Sequence, residues 1–343
     1  MWWGTSPAER RGVARSVGGV NDPSRLARLN AIKLAALVRD HLGGSPEFVP
    51  GEFPSGAALC HGSDAWVLLA HRPAHGLGGA MAWAIRRGAE RLHVVAEDAT
   101  GLLARRASGF ALPIEVWHAE GRSLFPAVAE PLPVALAVPQ AHREFEPIIV
   151  AAGAEPREEF GVLAGEVAGL EVCRVVDDPH LHVTRLEVGV GAHDREAFLA
   201  LHGDRPSAPA LRDVVQAVVL HRVTEARGHP LSRLAQERLL RTRLVAQPHL
   251  IDATSVAVAP PPVPRPNLKD PVPCVAEAVV DGERVAVVCS SGVDLDAVPF
   301  AVDARAALGV GRCLLVLPRR DAVEVQHLLA AAATPPVTVV PVD

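Results

Sequence analysis

Two stretches of this chain set carboxylates at spacings that a pair of β-strands would bring together. GEVAGLEVCRVVDD supplies Glu166, Glu171, Asp177 and Asp178, and RLEVGVGAHDRE supplies Glu187, Asp194 and Glu196. On the second stretch Leu186, Val188 and Val190 share one strand face while Arg185 and Glu187 share the other. Glu171 and Glu187 are therefore expected to meet across a hairpin, with Glu166 beside them, around a divalent cation, Mg²⁺ or Mn²⁺. Carboxylates holding such a cation, with a lysine to orient the attacking water, are the machinery of phosphodiester cleavage. Only two lysines exist, Lys33 and Lys269. Lys269 sits in PPPVPRPNLKDPVP, Pro260 to Pro273, where prolines remove backbone donors and hold an extended path. That loop is expected to carry Lys269 to the acids, so Glu187 and Lys269 are the catalytic candidates and Glu166, Glu171 and Glu187 the metal ligands. The alternative is that the acids lie on a solvated sheet face, paired with Arg174 and Arg185, and that the loop is a rigid linker.

Other constellations are thinner. His180-x-His182 puts two imidazoles on one side of a strand without a third ligand at zinc spacing. Gly76-Leu-Gly-Gly opens a helix and Gly189-Val-Gly191 precedes another; both read first as tight turns, and as an alternative suit an anion at a helix N-terminus. Neither completes a dinucleotide or P-loop pattern. Cys289-Ser290-Ser291-Gly292 follows a strand, a place where an open α/β sheet exposes a nucleophile, but no G-x-S-x-G elbow accompanies it. Cys60, Cys173, Cys274, Cys289 and Cys313 are odd in number, far apart and without C-x-x-C, as expected of small buried residues in a reducing cytosol.

The elements that must position these groups fall into two similar halves. In the first, a helix at 30–42 precedes a strand at 47–49 and a hairpin, 57–61 with 65–71, turning at Gly62-Ser63. A helix from Gly76 to Arg87, a strand at 92–95, a helix at 101–109 and a strand at 114–117 follow. In the second, a helix at 231–245 leads to a strand at 255–259 and a hairpin, 275–280 with 284–289, turning at Asp281-Gly282. A helix at 297–308, a strand at 313–317, a helix at 322–332 and a strand at 337–340 close it. Between them, strands at 162–167, 170–176 and 182–190 precede helices at 194–201 and 210–219.

Helix, three strands, helix, strand is the order of the restriction-endonuclease-like core, and each half resembles that αβββαβ fold of PD-(D/E)xK nucleases. The resemblance is topological. It implies an acid on one hairpin strand and acid-x-Lys on the next. Asp64 stands at the first turn, but WVLLAH carries no acid; Glu277 stands on the second hairpin, but VAVVCSS again lacks the motif. In the middle hairpin Gly189 stands where the family pattern wants a lysine. The end modules thus read as degenerate.

With 34 basic and 39 acidic residues in 343, the net charge of −5 argues against a chain coated all over for nucleic acid. The basic residues are segregated, however. Arg222, Arg227, Arg233, Arg238, Arg241 and Arg243 face only Glu225 and Glu237 within that stretch, and residues 9–33 show a similar excess. Arg233, Arg238, Arg241 and Arg243 are the candidates for tracking a phosphate backbone; equally, Arg233, Arg241 and Arg243 pair with acids of a neighbouring domain. No apolar run approaches the roughly 18 residues of a membrane span, so no membrane partner is expected.

The expectation is an α/β protein of mixed sheets with flanking helices. A loose arm, 1–24, precedes an N-terminal module, 25–130; an α+β middle region, 140–230, and a C-terminal module, 231–343, follow. Its leading function is a cytoplasmic nuclease-like protein that binds nucleic acid with weak or lost phosphodiesterase chemistry. A non-enzymatic scaffold that binds a protein partner competes with it, as does a small-molecule enzyme on a Rossmann-like sheet.

Overall fold

A computed structural model of the chain describes residues 23–178, 182–191, 195–196, 207–222, 229–264 and 272–343. The fold is α/β, and among these residues the strands form three sheets. The first unit opens with α1 (Pro23–Leu42), then β1 (Val49–Gly51), β2 (Gly56–His61) and β3 (Asp64–Leu69) as an antiparallel meander. Next come α2 (Leu77–Arg86), β4 (Arg91–Ala96), α3 (Thr100–Ala107), β5 (Ile114–Glu120) and β6 (Ser123–Pro126). β4 and β5 run parallel to β3, and β6 closes the sheet antiparallel.

The middle unit carries α4 (Gln140–Arg143), α5 (Glu146–Ala151) and a four-stranded antiparallel meander of β7 (Glu155–Glu159), β8 (Val162–Val167), β9 (Leu170–Asp178) and β10 (Val183–Val188). α6 (Ser207–Arg222) packs on it. The last unit has the element order of the first without a counterpart of β6: α7 (Gln236–Ala246), β11 (Ala253–Ala259), β12 (Cys274–Val280), β13 (Glu283–Cys289), α8 (Ala297–Leu308), β14 (Arg312–Pro318), α9 (Glu324–Ala332) and β15 (Thr338–Val342). Its first three strands are antiparallel and its last three parallel. No described helix is long and apolar enough to cross a membrane.

Alternation along near-continuous apolar strands feeds two cores at once. Trp66 and Leu68 of β3 meet Leu34, Leu37 and Val38 of α1, while Ala65, Val67 and Leu69 point into the opposite layer. In the last unit Val285, Val287 and Cys289 of β13 meet Leu240 and Leu244 of α7, while Ala286 and Val288 join that same opposite layer. The layer is a single cluster in which α2 and α3 pack against α8 and α9, so each terminal unit covers the other's open face. The backbones of the two units touch there. Ala111 N–H donates to the Ala332 carbonyl at 2.9 Å and Thr334 N–H to the Gly109 carbonyl at 2.8 Å.

Gly78 at the start of α2 serves this contact. Its N–H donates to the side chain of the chain's own Asp296, 3.1 Å away at the start of α8. A side chain at Gly78 would overlap the Leu295 carbonyl, which is backbone and cannot swing aside. Gly78→Ala is therefore expected to lower stability by about 2–3 kcal/mol or more through overpacking. Urea unfolding checks it, and a midpoint equal to that of the parent would exclude the tight contact.

Three departures from the sequence reading have local causes. The helix expected over 231–245 is broken: Pro230–Arg233 forms a 3₁₀ turn, and Ala235 takes a left-handed conformation before α7 starts. The Arg222 guanidinium imposes the break by collecting carbonyls of Leu231 (3.0 Å), Leu234 and Ala235 (2.8 Å), along with Ala168 (2.8 Å). β7 reads EPREE, with no apolar run to announce a strand, and β6 is equally short of signal. α1 starts at Pro23, so it takes in the end of the expected arm; residues 1–22, and most of the helix expected at 194–201, lie outside the described residues.

Candidate functional site

The middle sheet has one apolar face and one charged face. Leu163, Val172, Val175, Leu186 and Val188 pack with Ile149 of α5 and Leu211, Val215 and Val218 of α6. On the other face the register sets like charges in rows. Glu155, Glu166 and Glu171 stand opposite one another across β7, β8 and β9, and the next row is Arg157, Ala164 and Arg174. Strict alternation would send Glu171 and Arg174 to opposite faces. The β8–β9 register shifts between Gly165 and Glu166, placing an extra residue on β9 and bringing both side chains to the same side. Arg174 then grips Glu171 with two hydrogen bonds, 3.0 and 2.9 Å.

α7 closes this face. The β8–β9 turn rests on its backbone, where a Cβ on Gly169 would lie 2.6 Å from the Arg238 carbonyl. That approach brings Arg238 to Glu166 and, with bonds of 2.8 and 2.7 Å, to Glu159. Arg241 spans from Glu166 (3.4 Å) to the Val275 carbonyl of β12 (3.3 Å). α7 thus ties the middle sheet to the last unit while its Leu240 and Leu244 cover that unit's core. Burial opposes the charge on Arg238 and Arg174, and the glutamates beside them more than offset it, so both guanidinium pKa values are raised.

Two like charges placed directly opposite, Glu166 and Glu171, would repel strongly at 4 % and 2 % exposure. The guanidinium groups answer that repulsion. Arg195 reaches Glu171 at 2.9 Å and Glu187 at 3.5 Å. A cation does stand between Glu171 and Glu187, as the hairpin argument requires, but it is an arginine of this chain. Glu187 lies opposite Arg174 rather than Glu171, and Arg185 donates to it at 3.0 Å. Among the described residues no group of three or more His, Cys, Asp or Glu is arranged to hold a metal ion.

What remains open in this face is a cavity of about 160 Å³ lined by Arg157, Glu159, Glu166, Glu171, Arg174 and Arg238, with Phe160 and Pro264 at its side. Sequence reasoning reached Glu166, Glu171 and Arg238 by separate routes, and they converge here. It missed Glu159, Arg157 and Arg195; a run of alternating acid and base such as EPREE, on a strand that reads as loop, is the signal that would have found two of them. Pro264 is the last described residue before Lys269, which lies outside the described residues together with His180.

The phosphate-tracking group divides. Arg238 and Arg241 are 3 % and 1 % exposed and bound to glutamate, so burial removes them from any polyanion surface; Arg241 pairs with an acid of the neighbouring domain, as the alternative has it, and Arg238, for which it names no pairing, does the same. Arg233 and Arg243 are exposed. Arg243 and Arg320 flank a shallow pocket of about 200 Å³ beside Asp343. Cys289 and Ser290 are buried, which leaves no exposed nucleophile at either residue. Comparison with protein-family models, with curated proteins and with solved structures found no match.

Proposed function

We propose that the chain is a binding protein on a nuclease-like scaffold, with its phosphodiesterase chemistry lost, and that it binds in the Arg–Glu cavity between the middle sheet and α7. One observation carries the reading: Glu166, Glu171 and Glu187, the carboxylates a divalent cation would need, already accept hydrogen bonds from guanidinium groups. A metal would have to displace buried arginines and leave them unpaired, which is costly. The third strands of the terminal sheets, where the nuclease pattern wants acid-x-Lys, are filled by buried Ala65–Leu69 and Val285–Cys289.

The test is incubation with short single-stranded, duplex and branched DNA and RNA, with Mn²⁺, followed by a denaturing gel. No cleavage is expected, and none in Glu187→Gln. Mn²⁺-dependent cleavage that disappears in Glu187→Gln overturns the reading. A second reading, nucleic-acid contact at the surface, is favoured by the exposed Arg243, Arg319 and Arg320 around the shallow pocket. Fluorescence anisotropy across a salt series decides it. Binding with a log–log slope of several units, reduced by about one for each of Arg243→Ala and Arg320→Ala, supports contact there. Absence of binding at low salt excludes it.

A further inference from the structure

We propose that the ligand of the central cavity is a small zwitterion, an α-amino acid of about valine size, an inference that rests on the cavity being the binding site. Arg157, Ala164 and Arg174 form one row across three strands, and Glu166 and Glu171 belong to the adjacent row, about 7 Å further along. Positive and negative groups are therefore sorted side by side, with the small Ala164 leaving a notch between the two arginines.

Counted over the wall, Arg157, Arg174 and Arg238 balance Glu159, Glu166 and Glu171, so the cavity is formally neutral. A lone anion would take a guanidinium from its glutamate and strand a buried carboxylate; a lone cation would do the reverse. A zwitterion does neither. Its carboxylate joins the arginine row while its ammonium joins the glutamates, so a pair that opens is replaced by two. Arg157 and Arg174 are the arginines free to do this, their side chains being 27 % and 30 % exposed against 3 % for Arg238. Val162, Ala164, Phe160 and Pro264 give the apolar part of the wall. A volume near 160 Å³ equals about five waters at roughly 30 Å³ each, which suits a small amino acid and no nucleotide.

The experiment is isothermal titration calorimetry of the full chain with L-valine, with 3-methylbutanoate, which lacks the amine, and with 2-methylpropylamine, which lacks the carboxylate. Valine is expected to bind at least about tenfold more tightly than either analogue, the worth of one charge-assisted hydrogen bond. Ala164→Leu fills the notch without touching an ion pair, and it is expected to abolish valine binding at an unchanged melting temperature. If that variant folds poorly, Val162→Met blocks the same wall. An analogue that binds as well as valine, and is blocked by Ala164→Leu, overturns the zwitterion while the cavity stands. No binding by any of the three, or binding indifferent to both blocking variants, overturns the cavity and the zwitterion together.

Discussion

Arg238→Met lowers the free energy of unfolding by about 3–5 kcal/mol, the cost of removing one partner from a buried ion pair. Glu166 is buried opposite Glu171, and Glu159 gives both its oxygens to Arg238. Methionine keeps much of the side chain's apolar length, so the change removes charge and hydrogen bonds with little cavity. Both glutamates then lose their shared cation, Glu166 at 4 % and Glu159 at 19 % exposure. The measurement is denaturant unfolding, with Arg238→Met, Glu166→Gln and the double variant forming a cycle. Contact pairs of this kind couple by 0.5–3 kcal/mol, so the double variant is expected to be at least about 1 kcal/mol more stable than the sum of the single losses. The outcome also separates the two roles an arginine at this position can have. A surface arginine that tracks phosphates would change stability by no more than about 0.5 kcal/mol while weakening polyanion binding. An unchanged unfolding midpoint in Arg238→Met would therefore overturn the placement of Arg238 as a strut.

The same residue shows why the fold was more legible than the site. The terminal hairpins announce themselves through Gly62-Ser63 and Asp281-Gly282 between apolar runs, and α8 occupies 297–308 as its pattern predicts. These are local signals, carried by turn chemistry and periodicity over a dozen residues. The pairing of Arg238 with Glu166 spans 72 residues, and no local rule selects one arginine among 32. The extra residue on β9 is silent in the sequence, yet it decides which face Arg174 takes, and so whether Glu171 meets a guanidinium or a metal. Ala235 is the same kind of case. Alanine is the best helix former, and only the carbonyl-gathering Arg222, buried with its pKa lowered to about 10, holds it left-handed. The glycines at 76–79 read as a tight turn or as a helix start suited to an anion, and α2 does start there. Nothing in them says that the N–H of Gly78 meets residue 296 of the same chain.

Asp296 is where that contact has the largest consequence. Burial between the terminal units raises its pKa from 3.8 to about 7; the neighbouring Asp294 adds to the rise, and the Gly78 and Leu77 N–H groups and Arg106 only partly oppose it. Asp294 is itself raised by burial, with His75 and Arg106 acting the other way. Between pH 4 and 7 the folded chain keeps the Asp296 proton while the unfolded chain has released it. Stability contributed by this group is thus complete below about pH 4 and is lost as pH rises through 7. At ~1.4 kcal/mol per pH unit the loss approaches about 4 kcal/mol above neutrality. Asp296→Asn keeps an oxygen for the Gly78 N–H and carries no charge. It is expected to match the parent near pH 4 and to exceed it by up to about 4 kcal/mol at pH 8, measured by urea unfolding across that range. The carboxylates lowered by surface partners, Asp177, Glu277 and Asp343, act below their ordinary range, so their losses fall outside this window. An Asp296→Asn variant weaker than the parent at pH 8 would show that the carboxylate is welcome at the α2 N-terminus as an anion, and that the helix dipole there outweighs burial.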